Sequence, residues 1–406
     1  MYFKRTTQYW LPILIILAMV GATFLNLRLS DQFKHIDEFA PHWMAAKAWM
    51  RDGTSPYSED THEETLELLS QYGYAEDELN QGYFLEPVFN LYLYIPLSLV
   101  DYPIARAIWM TLIELACILS CWISLKLAGL KLHPVETLVL LILSVISYPI
   151  FKSILSASSM PIFVFLVLLA CYLAKQDKGT AAGILLFLSL GTIPISFMVA
   201  IFLIVWKGSK RDQSIMPLYL IGVAFLIVTS LILFPGWIPE WFASFISIHP
   251  DIAWVDTPLM RIAEFFPGAT TQISIALHVV VLFVLLVEWY GIIGKDGRQI
   301  QWKILITLNL LYFINPTSAG SYMIWAWPAL FLFGKFLTEK WRITGKIIFW
   351  IILFALVYAH WTSFSDAQNW FQRESSLVVL LFPTVTMIGL EWTRWWAIDS
   401  PKPLLD

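Results

Sequence analysis

The sequence predicts an all-α polytopic membrane protein that crosses the bilayer with about 12 transmembrane helices. Of the 406 residues, 58% are hydrophobic and only 14% are charged, whereas a soluble domain carries about a quarter charged residues. Apolar runs follow one another along nearly the whole chain, and a bilayer core about 30 Å thick needs roughly 20 apolar residues per helix. A soluble multi-domain protein would have to bury far too much apolar surface, so that class is excluded.

The first predicted span covers residues 9–29. Lys4 and Arg5 precede it, as basic residues precede the hydrophobic part of a signal peptide. However, the apolar run is too long for that part, and no cleavage site of small residues follows it. We therefore expect a retained transmembrane helix.

Clusters of Lys and Arg set the predicted topology, because basic residues in short loops remain on the cytoplasmic side. These clusters lie at residues 4–5, 126–131, 175–178, 207–211, 295–303, 335–346 and 394–402. The apolar segments between clusters then come in pairs: 136–151 with 159–174, a short pair within 179–206 broken at 191–194, 215–234 with 270–293, 302–315 with 320–337, and 344–363 with 375–394. Both termini are expected in the cytoplasm.

The apolar segment 88–101 is too short to fit this scheme as an ordinary span. With the cluster at 126–131 in the cytoplasm, the segment must dip in and out of the membrane or lie against its outer face. A crossing would break the basic-residue rule once.

We expect a single transmembrane domain over residues 1–406, with extracytoplasmic loops at 30–87, 235–269 and 362–375. The first loop is the most acidic part of the chain. Residues 31–86 hold thirteen acidic and three basic residues, a balance of −10 in a chain whose total is −4. Residues 42–51 place apolar side chains on one helical face, which predicts an interfacial helix lying flat on the membrane. A second short helix is expected over 60–70.

The sharpest polar group is formed by His35, Asp37 and Glu38, just outside the first span. A carboxylate at this level could accept a proton from a hydroxyl that enters from the water. It would also lie close to a phosphate anchored at the lipid surface. The competing interpretation is that these acids are merely solvated, as most surface acids are.

Three other regions carry weaker signals. Glu114 lies deep in an apolar run, where it is either functional or a neutral acid bonded to a neighbouring helix. Arg261 could hold a lipid phosphate or be an ordinary interfacial arginine. The polar turn 315–322 could line a cavity or simply close a hairpin. Its candidate ligands are Asn315, Ser318 and Tyr322.

The sequence gives little evidence for a metal or cofactor. Cys117, Cys121 and Cys171 lie inside apolar runs, so we expect buried thiols rather than disulfides or a zinc site. The acidic loop could bind Mg²⁺ or Mn²⁺ because carboxylates suit hard cations, but no ligand spacing demands it. Membrane lipids are expected partners, and nucleic acids are not.

Five short motifs follow one another in a recognisable order between residues 37 and 109. After the first span come Asp37-Glu38-Phe39, Ala45-Ala46 and Gly53-Thr54-Ser55-Pro56-Tyr57. Beyond a polar gap come Tyr83-Phe84-Leu85-Glu86-Pro87 and Ala105-Arg106-Ala107-Ile108-Trp109. This layout resembles the N-terminal part of the GT-C glycosyltransferases, most closely glycosyltransferase family 87.

The resemblance implies a GT-C-like helix bundle and a hexosyltransferase that inverts the sugar it transfers. Its donor would be a polyprenyl-phosphate sugar, mannose-like, and its acceptor a hydroxyl of a lipid or glycan. The site would face the extracytoplasmic side of the plasma (inner) membrane. The family's base in the first external loop corresponds to Asp37, or to Glu38 if the register shifts by one residue. The predicted substrate-binding residues are His35, His42, Tyr57, Glu86, Arg261, Asn315, Ser318 and Tyr322.

Departures from the family pattern leave two other functions open. Residues 156–160 read Ser-Ala-Ser-Ser-Met where Gly-Gln-x-Asn is common, residues 192–194 lack a Lys-Pro pair, and Tyr322 stands near the place of a frequent His. A catalytically silent protein that binds or scaffolds lipid-linked glycans would explain these departures. A transporter would need matching broken helices in two halves, and one clear break is visible, at 191–194.

Overall fold

The computed structural model describes residues 3–32, 34, 37–74, 82–248, 257–314, 323–365 and 378–398, and this part of the chain contains helices and no strand. It divides into two compact units. The first unit comprises residues 1–115, 154–159 and 230–245, and the second comprises 116–153, 160–229 and 246–406. The predicted single domain with its three loops stays a prediction.

The helices follow the predicted apolar segments closely. In chain order they are Phe3–Gln32, Phe39–Asp52, Glu59–Gln71, the 3₁₀ helix Val88–Leu93, Ile95–Ser98, Tyr102–Ala128, Pro134–Ile146, Tyr148–Leu155, Met160–Lys175, Gly179–Leu188, the 3₁₀ turn Leu190–Thr192, Ile193–Ser209, Ile215–Leu233, Trp237–Ile248, Pro258–Ala263, Thr270–Tyr290, Gly297–Phe313, Met323–Ser365, Val378–Thr393 and the π turn Arg394–Ile398.

Five helices in the described part of the chain are long and apolar enough to cross a membrane, or up to six if one bent pair counts as a span. The bent pair is Pro134–Ile146 with Tyr148–Leu155, whose axes differ by 54°. Three further apolar helices, at 160–175, 179–188 and 194–209, fall short of the roughly 20 residues that a straight crossing needs. The protein is thus a helical membrane protein, and the count of about 12 spans stays a prediction.

The awkward segment 88–101 forms no spanning helix. Its 3₁₀ helix Val88–Leu93 has six residues and the next helix, Ile95–Ser98, has four. At about 2.0 Å per residue, the 3₁₀ part covers roughly 12 Å, less than half of a bilayer core. A single helical crossing by this segment is therefore excluded.

The helix expected to lie on the membrane packs into the protein instead. Helix Phe39–Asp52 buries eight of its residues, Trp43 and Ala46 among them, in contact with helices Glu59–Gln71 and Ile95–Ser98. Of the predicted apolar face, Met50 alone is exposed, at 54%. The predicted contact of this apolar face with lipid was therefore wrong, since such a face packs equally well on protein, while the position of the helix at the membrane interface stays a prediction.

The first helix exposes apolar side chains on one side and forms side-chain hydrogen bonds to another helix on the other. Leu14, Leu17 and Phe24 are each about 60% exposed, as expected of a helix surrounded by lipid. On its inner side, buried Asn26 donates to the Thr111 hydroxyl (3.1 Å) of helix Tyr102–Ala128, which also lies 3.0 Å from the Thr23 hydroxyl. Side-chain hydrogen bonds of this kind join helices within membranes.

A sharp break divides the longest helical stretch of the second unit, Met323–Ser365. Arg342 has φ 49° and ψ −119°, so two helices meet there, as the basic cluster at 335–346 predicted. A Cβ at Gly345 would lie 1.9 Å from the Leu337 carbonyl oxygen. The residue must be glycine because the backbones approach too closely for any side chain.

Candidate active site

The carboxylate of Asp37 is the most completely bonded side chain of the first unit. Its Oδ1 accepts from the backbone N–H groups of Phe39 (2.9 Å) and Ala40 (3.0 Å), at the start of helix Phe39–Asp52. Its Oδ2 accepts from the Tyr74 hydroxyl (2.8 Å), the Tyr102 hydroxyl and Arg106 Nε (2.5 Å). A carboxylate offers about four lone-pair positions, so five donors occupy it fully.

Arg106 is as deeply held as its partner. The Asp37 and Arg106 side chains are 0% and 1% exposed. The other nitrogens of the guanidinium donate to the Ser30 hydroxyl and to the Leu155 carbonyl oxygen (2.6 Å). Burying two charges is costly unless each is paired and fully bonded. This pair meets that condition, and it ties together the end of the first helix, the acidic loop and helix Tyr102–Ala128.

Tyr74 completes the surroundings of Asp37. Burial and the neighbouring negative charge of Asp37 raise the pKa of the Tyr74 hydroxyl well above its ordinary value. The phenol therefore stays protonated over the physiological range and acts as a constant donor to Asp37.

A six-residue segment, 154–159, forms the back wall of the site. Three successive carbonyl oxygens of this segment accept hydrogen bonds: Leu155 from Arg106, Ser156 from the Glu38 N–H (2.8 Å), and Ala157 from Trp109 Nε1 (3.0 Å). Ala157 has φ 54°, a left-handed conformation that a residue with a Cβ rarely adopts. The turn lets the chain present its carbonyls to the acidic loop.

Glu38 occupies a different environment from its neighbour. It is half-buried, and its Oε1 accepts from the Ser156 hydroxyl (3.1 Å). Its backbone carbonyl oxygen accepts from His42 Nδ1 (2.7 Å), one turn further along the helix. On the opposite side of the imidazole, Nε2 lies 3.3 Å from Glu86 Oε1. One histidine thus links the backbone of Glu38 to the carboxylate of Glu86, and we refer to Glu38, His42 and Glu86 as the acid–histidine cluster.

The charge of Glu86 changes the protonation of His42. Burial lowers the pKa of the imidazole, but the attraction of the Glu86 carboxylate and the hydrogen bond to it outweigh burial, with the Glu38 carbonyl contributing. The net effect raises the pKa of His42 above its ordinary value of 6.5. The ring also stacks on Tyr94, with centroids 4.7 Å apart, so its orientation is fixed by packing on one side and by hydrogen bonds on the other.

The segment that carries Glu86 is fastened on both sides. Asn90 Nδ2 donates to Glu86 Oε2 (2.6 Å), and the Tyr57 hydroxyl donates to the Glu86 carbonyl oxygen (2.8 Å). Trp241 Nε1 donates to the neighbouring Leu85 carbonyl oxygen (2.8 Å). Burial, followed by the charges of Glu86 and Glu240, raises the pKa of Tyr57, which keeps this donor protonated.

The structure brings some of the predicted site residues together and leaves others apart. Asp37, Glu38, His42, Tyr57 and Glu86 lie within one network of the first unit. Arg261 belongs to the second unit, in helix Pro258–Ala263. Its guanidinium pairs at 3.2 Å with Glu264, the residue that follows this helix. The remaining predicted residues, His35, Asn315, Ser318 and Tyr322, lie outside the described residues.

Several residues of the network were not predicted as site residues. They are Tyr74, Asn90, Tyr102, Arg106 and Ser156. Arg106 carried a usable signal, because an ionisable residue at the start of an apolar span is costly unless it is paired. The two tyrosines and Ser156 carried none, since tyrosine and serine are common in external loops and turns.

Glu114 is half-buried in helix Tyr102–Ala128. The structure offers no catalytic partner for it among the described residues, and its functional interpretation stays a prediction.

Metal binding finds no support in the described residues. No group of three His, Cys, Asp or Glu side chains is placed there to hold a metal ion, and the acid–histidine cluster is linked by direct contacts. The side chains of Cys117, Cys121 and Cys171 are buried, as the sequence predicted. A role for Mg²⁺ or Mn²⁺ stays a prediction.

The long apolar helices define a polytopic membrane protein. Its acidic site lies outside the spans, in a loop that holds one buried carboxylate, Asp37, and two half-buried ones, Glu38 and Glu86. The model of glycosyltransferase family 87 matches residues 84–313, more than half of the chain. The chain belongs to this family and is a membrane glycosyltransferase. The matched residues include Glu86 and Arg106, whereas Asp37, Glu38 and His42 precede them. No curated protein and no solved structure matches the chain.

Proposed function

We propose that this glycosyltransferase moves a hexose, mannose-like, from a polyprenyl-phosphate donor to a hydroxyl of a lipid or glycan acceptor. The reaction would take place at the extracytoplasmic face of the plasma membrane, in a GT-C-like bundle of about 12 spans. The family membership supports the glycosyl transfer itself. The acidic first loop and the cytoplasmic basic clusters support the choice of face.

The proposed reaction is a single displacement with inversion at the anomeric carbon. The acceptor oxygen forms a bond to that carbon as the bond from the carbon to the phosphate oxygen breaks. The hydroxyl proton passes to an enzyme carboxylate, and polyprenyl phosphate leaves with the electron pair. Because the leaving group is already a stabilised anion, one well-placed base and nearby positive charge are enough.

The observation that carries the assignment of the base is the contrast between the two adjacent carboxylates. Sequence alone favoured Asp37, with Glu38 as the alternative. Asp37 already accepts five hydrogen bonds and has no accessible side-chain surface. Glu38 is half-buried and adjoins His42. We therefore assign proton acceptance to Glu38 and treat Asp37 as the residue that positions it.

His42 and Glu86 have supporting roles in this scheme. A protonated His42 donates to the Glu38 carbonyl oxygen and faces Glu86, so it fixes the start of helix Phe39–Asp52, which Glu38 directly precedes. Its positive charge, when protonated, interacts favourably with the carboxylate of Glu38. Tyr57 and Asn90 hold Glu86 in place.

The test measures transfer of labelled sugar from polyprenyl-phosphate mannose to membrane acceptors. Glu38→Gln should lower kcat by about 100-fold or more with little change in the KM for the donor, because loss of a base affects turnover rather than affinity. Glu64→Gln, an exposed acid in the same loop, should retain full activity. Near-normal transfer by Glu38→Gln, with loss in a correctly folded Asp37→Asn variant, would return the role to Asp37. Normal transfer by both variants and by the double variant would remove the pair from the mechanism.

A further inference from the structure

A basic pocket lies in the second unit, where three helices begin or end. It follows helix Thr270–Tyr290, adjoins the start of Gly297–Phe313 and reaches the π turn after Val378–Thr393. Its volume is about 180 Å³. The polar lining consists of Lys295, Gln299, Trp302, Lys303 and Arg394, which amounts to three cations, an amide and an indole, with no acid among the lining residues.

Buried groups hold two of the three cations in place. The carboxylate of Glu288, a residue 6% exposed, accepts from Lys303 through one oxygen and from Arg394 Nη1 (3.0 Å) through the other. Both cations also lie over the buried Trp302 ring, with Lys303 Nζ 5.5 Å and Arg394 Cζ 5.1 Å from its centroid. The positions of these charges are therefore set by packing before any ligand arrives.

The balance of charge at the pocket favours an anion. Besides Glu288, the second carboxylate close to these cations is that of Glu391, 3.7 Å from Arg394. Among the described residues, ion pairs join Lys303 and Arg394 to Glu288 and Glu391, and neither of these two carboxylates belongs to the pocket lining. A phosphate suits such a site, because guanidinium and ammonium groups bind phosphate oxygens through charge-assisted hydrogen bonds.

The surroundings of the pocket point to a lipid as the source of the phosphate. Tyr290 and Trp395 are 82% and 80% exposed and adjoin lining residues in the chain, and nearby Ile293 is 59% exposed. Aromatic side chains of this kind concentrate at the level of lipid headgroups. The lining cations also come from two clusters, 295–303 and 394–402, that the sequence assigns to the same cytoplasmic face.

We propose that the basic pocket binds the phosphate of an anionic glycerophospholipid, whose acyl chains lie along the exposed aromatic residues. Basic pockets between membrane helices on the cytoplasmic side recognise lipid headgroups in this way. The site is made wholly by the second unit and does not depend on the proposed sugar transfer.

The test measures lipid binding to the purified full-length protein in uncharged detergent by native mass spectrometry. Dioleoylphosphatidylglycerol is the probe, and Lys295→Gln the main variant, because Lys295 is exposed and its replacement leaves the buried network intact. Removal of one cation should weaken binding about fivefold. Lys178→Gln is the matched control, since Lys178 is an exposed lysine of the same unit, outside the pocket lining. It should bind the lipid as the unmodified protein does.

Two further arms separate the possible sources of the phosphate. Dioleoylphosphatidylcholine, which has the same tails and no net charge, should bind more weakly than the anionic lipid. Inorganic phosphate in large excess should fail to displace the bound lipid. The proposal would be overturned if Lys295→Gln bound the anionic lipid with unchanged affinity, or if Lys178→Gln lost as much affinity as Lys295→Gln. It would also be overturned if the uncharged lipid bound as tightly as the anionic one, or if inorganic phosphate displaced the bound lipid.

Discussion

Two adjacent carboxylates at the end of the first span have opposite surroundings. Both residues directly precede helix Phe39–Asp52, and their side chains enter different environments. Asp37 points into the first unit, where it caps helix Phe39–Asp52 and pairs with Arg106. Glu38 remains half-buried beside His42. The same residue chemistry thus supports structure at one position and, in our proposal, catalysis at the next.

Loss of the Asp37 charge should destabilise the protein. Asp37→Asn leaves the guanidinium of Arg106 buried without its counter-charge, and removal of one partner from such a pair costs about 3–5 kcal/mol. Thermal unfolding in detergent should show a clear fall in Tm for Asp37→Asn. Asp31→Asn, an exposed acid of the same region, should change Tm little.

A double-mutant cycle checks that the cost arises from the pair. Arg106→Met combined with Asp37→Asn should be less destabilising than the sum of the two single changes, because the second removes the charge that the first left unpaired. An additive result would mean that Asp37 stabilises the fold through its tyrosine and backbone donors instead.

The raised pKa of His42 predicts a pH-dependent contribution to stability. Protonation is favoured in the folded state relative to the ordinary value of 6.5. The contribution of His42 is therefore fully present below about pH 6.5 and is lost as the pH rises through the higher folded value. The Tm difference between the unmodified protein and His42→Gln should be larger at about pH 5.5 than at about pH 8.5.

Glu86→Gln provides the control for this prediction. It removes the charge that opposes the effect of burial on the His42 pKa, so the pH dependence of the His42 contribution should largely disappear in that background. A Tm difference that grows with pH would contradict the assignment of Glu86 as the partner.

At the scale of elements, the segment 154–159 is joined to the acidic loop and to helix Tyr102–Ala128 mainly through backbone carbonyls, with the Ser156 hydroxyl as an additional link to Glu38. Three consecutive residues contribute one carbonyl each. This geometry requires the left-handed backbone at Ala157, whose φ is 54°. A backbone conformation of this kind costs of order 1 kcal/mol or more, and it persists because the hydrogen bonds around it hold the segment in place.

Substitutions at Ala157 should therefore follow backbone preference. Ala157→Gly should be neutral or stabilising, because glycine adopts positive φ freely. Ala157→Val should lower Tm strongly, since a branched side chain fits neither the backbone nor this buried position. The measurement is thermal unfolding of each variant.

The matched control for this pair is Ala107→Gly, within helix Tyr102–Ala128. Ala107 is fully buried and helical, so glycine there should cost about 1 kcal/mol. If Ala107→Gly and Ala157→Gly lowered Tm equally, the left-handed conformation of Ala157 would carry no special cost.

At the scale of the molecule, the predicted orientation places the acidic loop outside the cell and both termini inside. Glu64 and Gly208 are both exposed and lie on opposite sides in this scheme. In intact cells, Glu64→Cys should react with a membrane-impermeant thiol reagent and Gly208→Cys should not. Because the three native thiols are buried, the background should be low. The reverse labelling pattern would invert the orientation and the proposed face of the reaction.

The sequence by itself determined the class of protein and most helix positions. Long apolar runs and basic clusters can be interpreted without the tertiary structure, because every chain that crosses a bilayer must satisfy its backbone hydrogen bonds within helices or closed barrels. The break near residue 342, the short helices on either side of 191–194, and the acidic loop after the first span all follow from local composition. The order of motifs between residues 37 and 109 led to the family that the match over residues 84–313 supports.

The tertiary structure alone decided which carboxylate is accessible. Asp37 and Glu38 are equally acidic in sequence, and their surroundings differ because Arg106, Tyr74 and Tyr102 come from distant parts of the chain to bond Asp37, whereas the Ser156 hydroxyl bonds Glu38. Likewise, the apolar face of helix Phe39–Asp52 could have met lipid or protein, and only its packed neighbours decide between them. Local sequence determines which groups are present, whereas long-range contacts determine which of them are buried and which partners they bond.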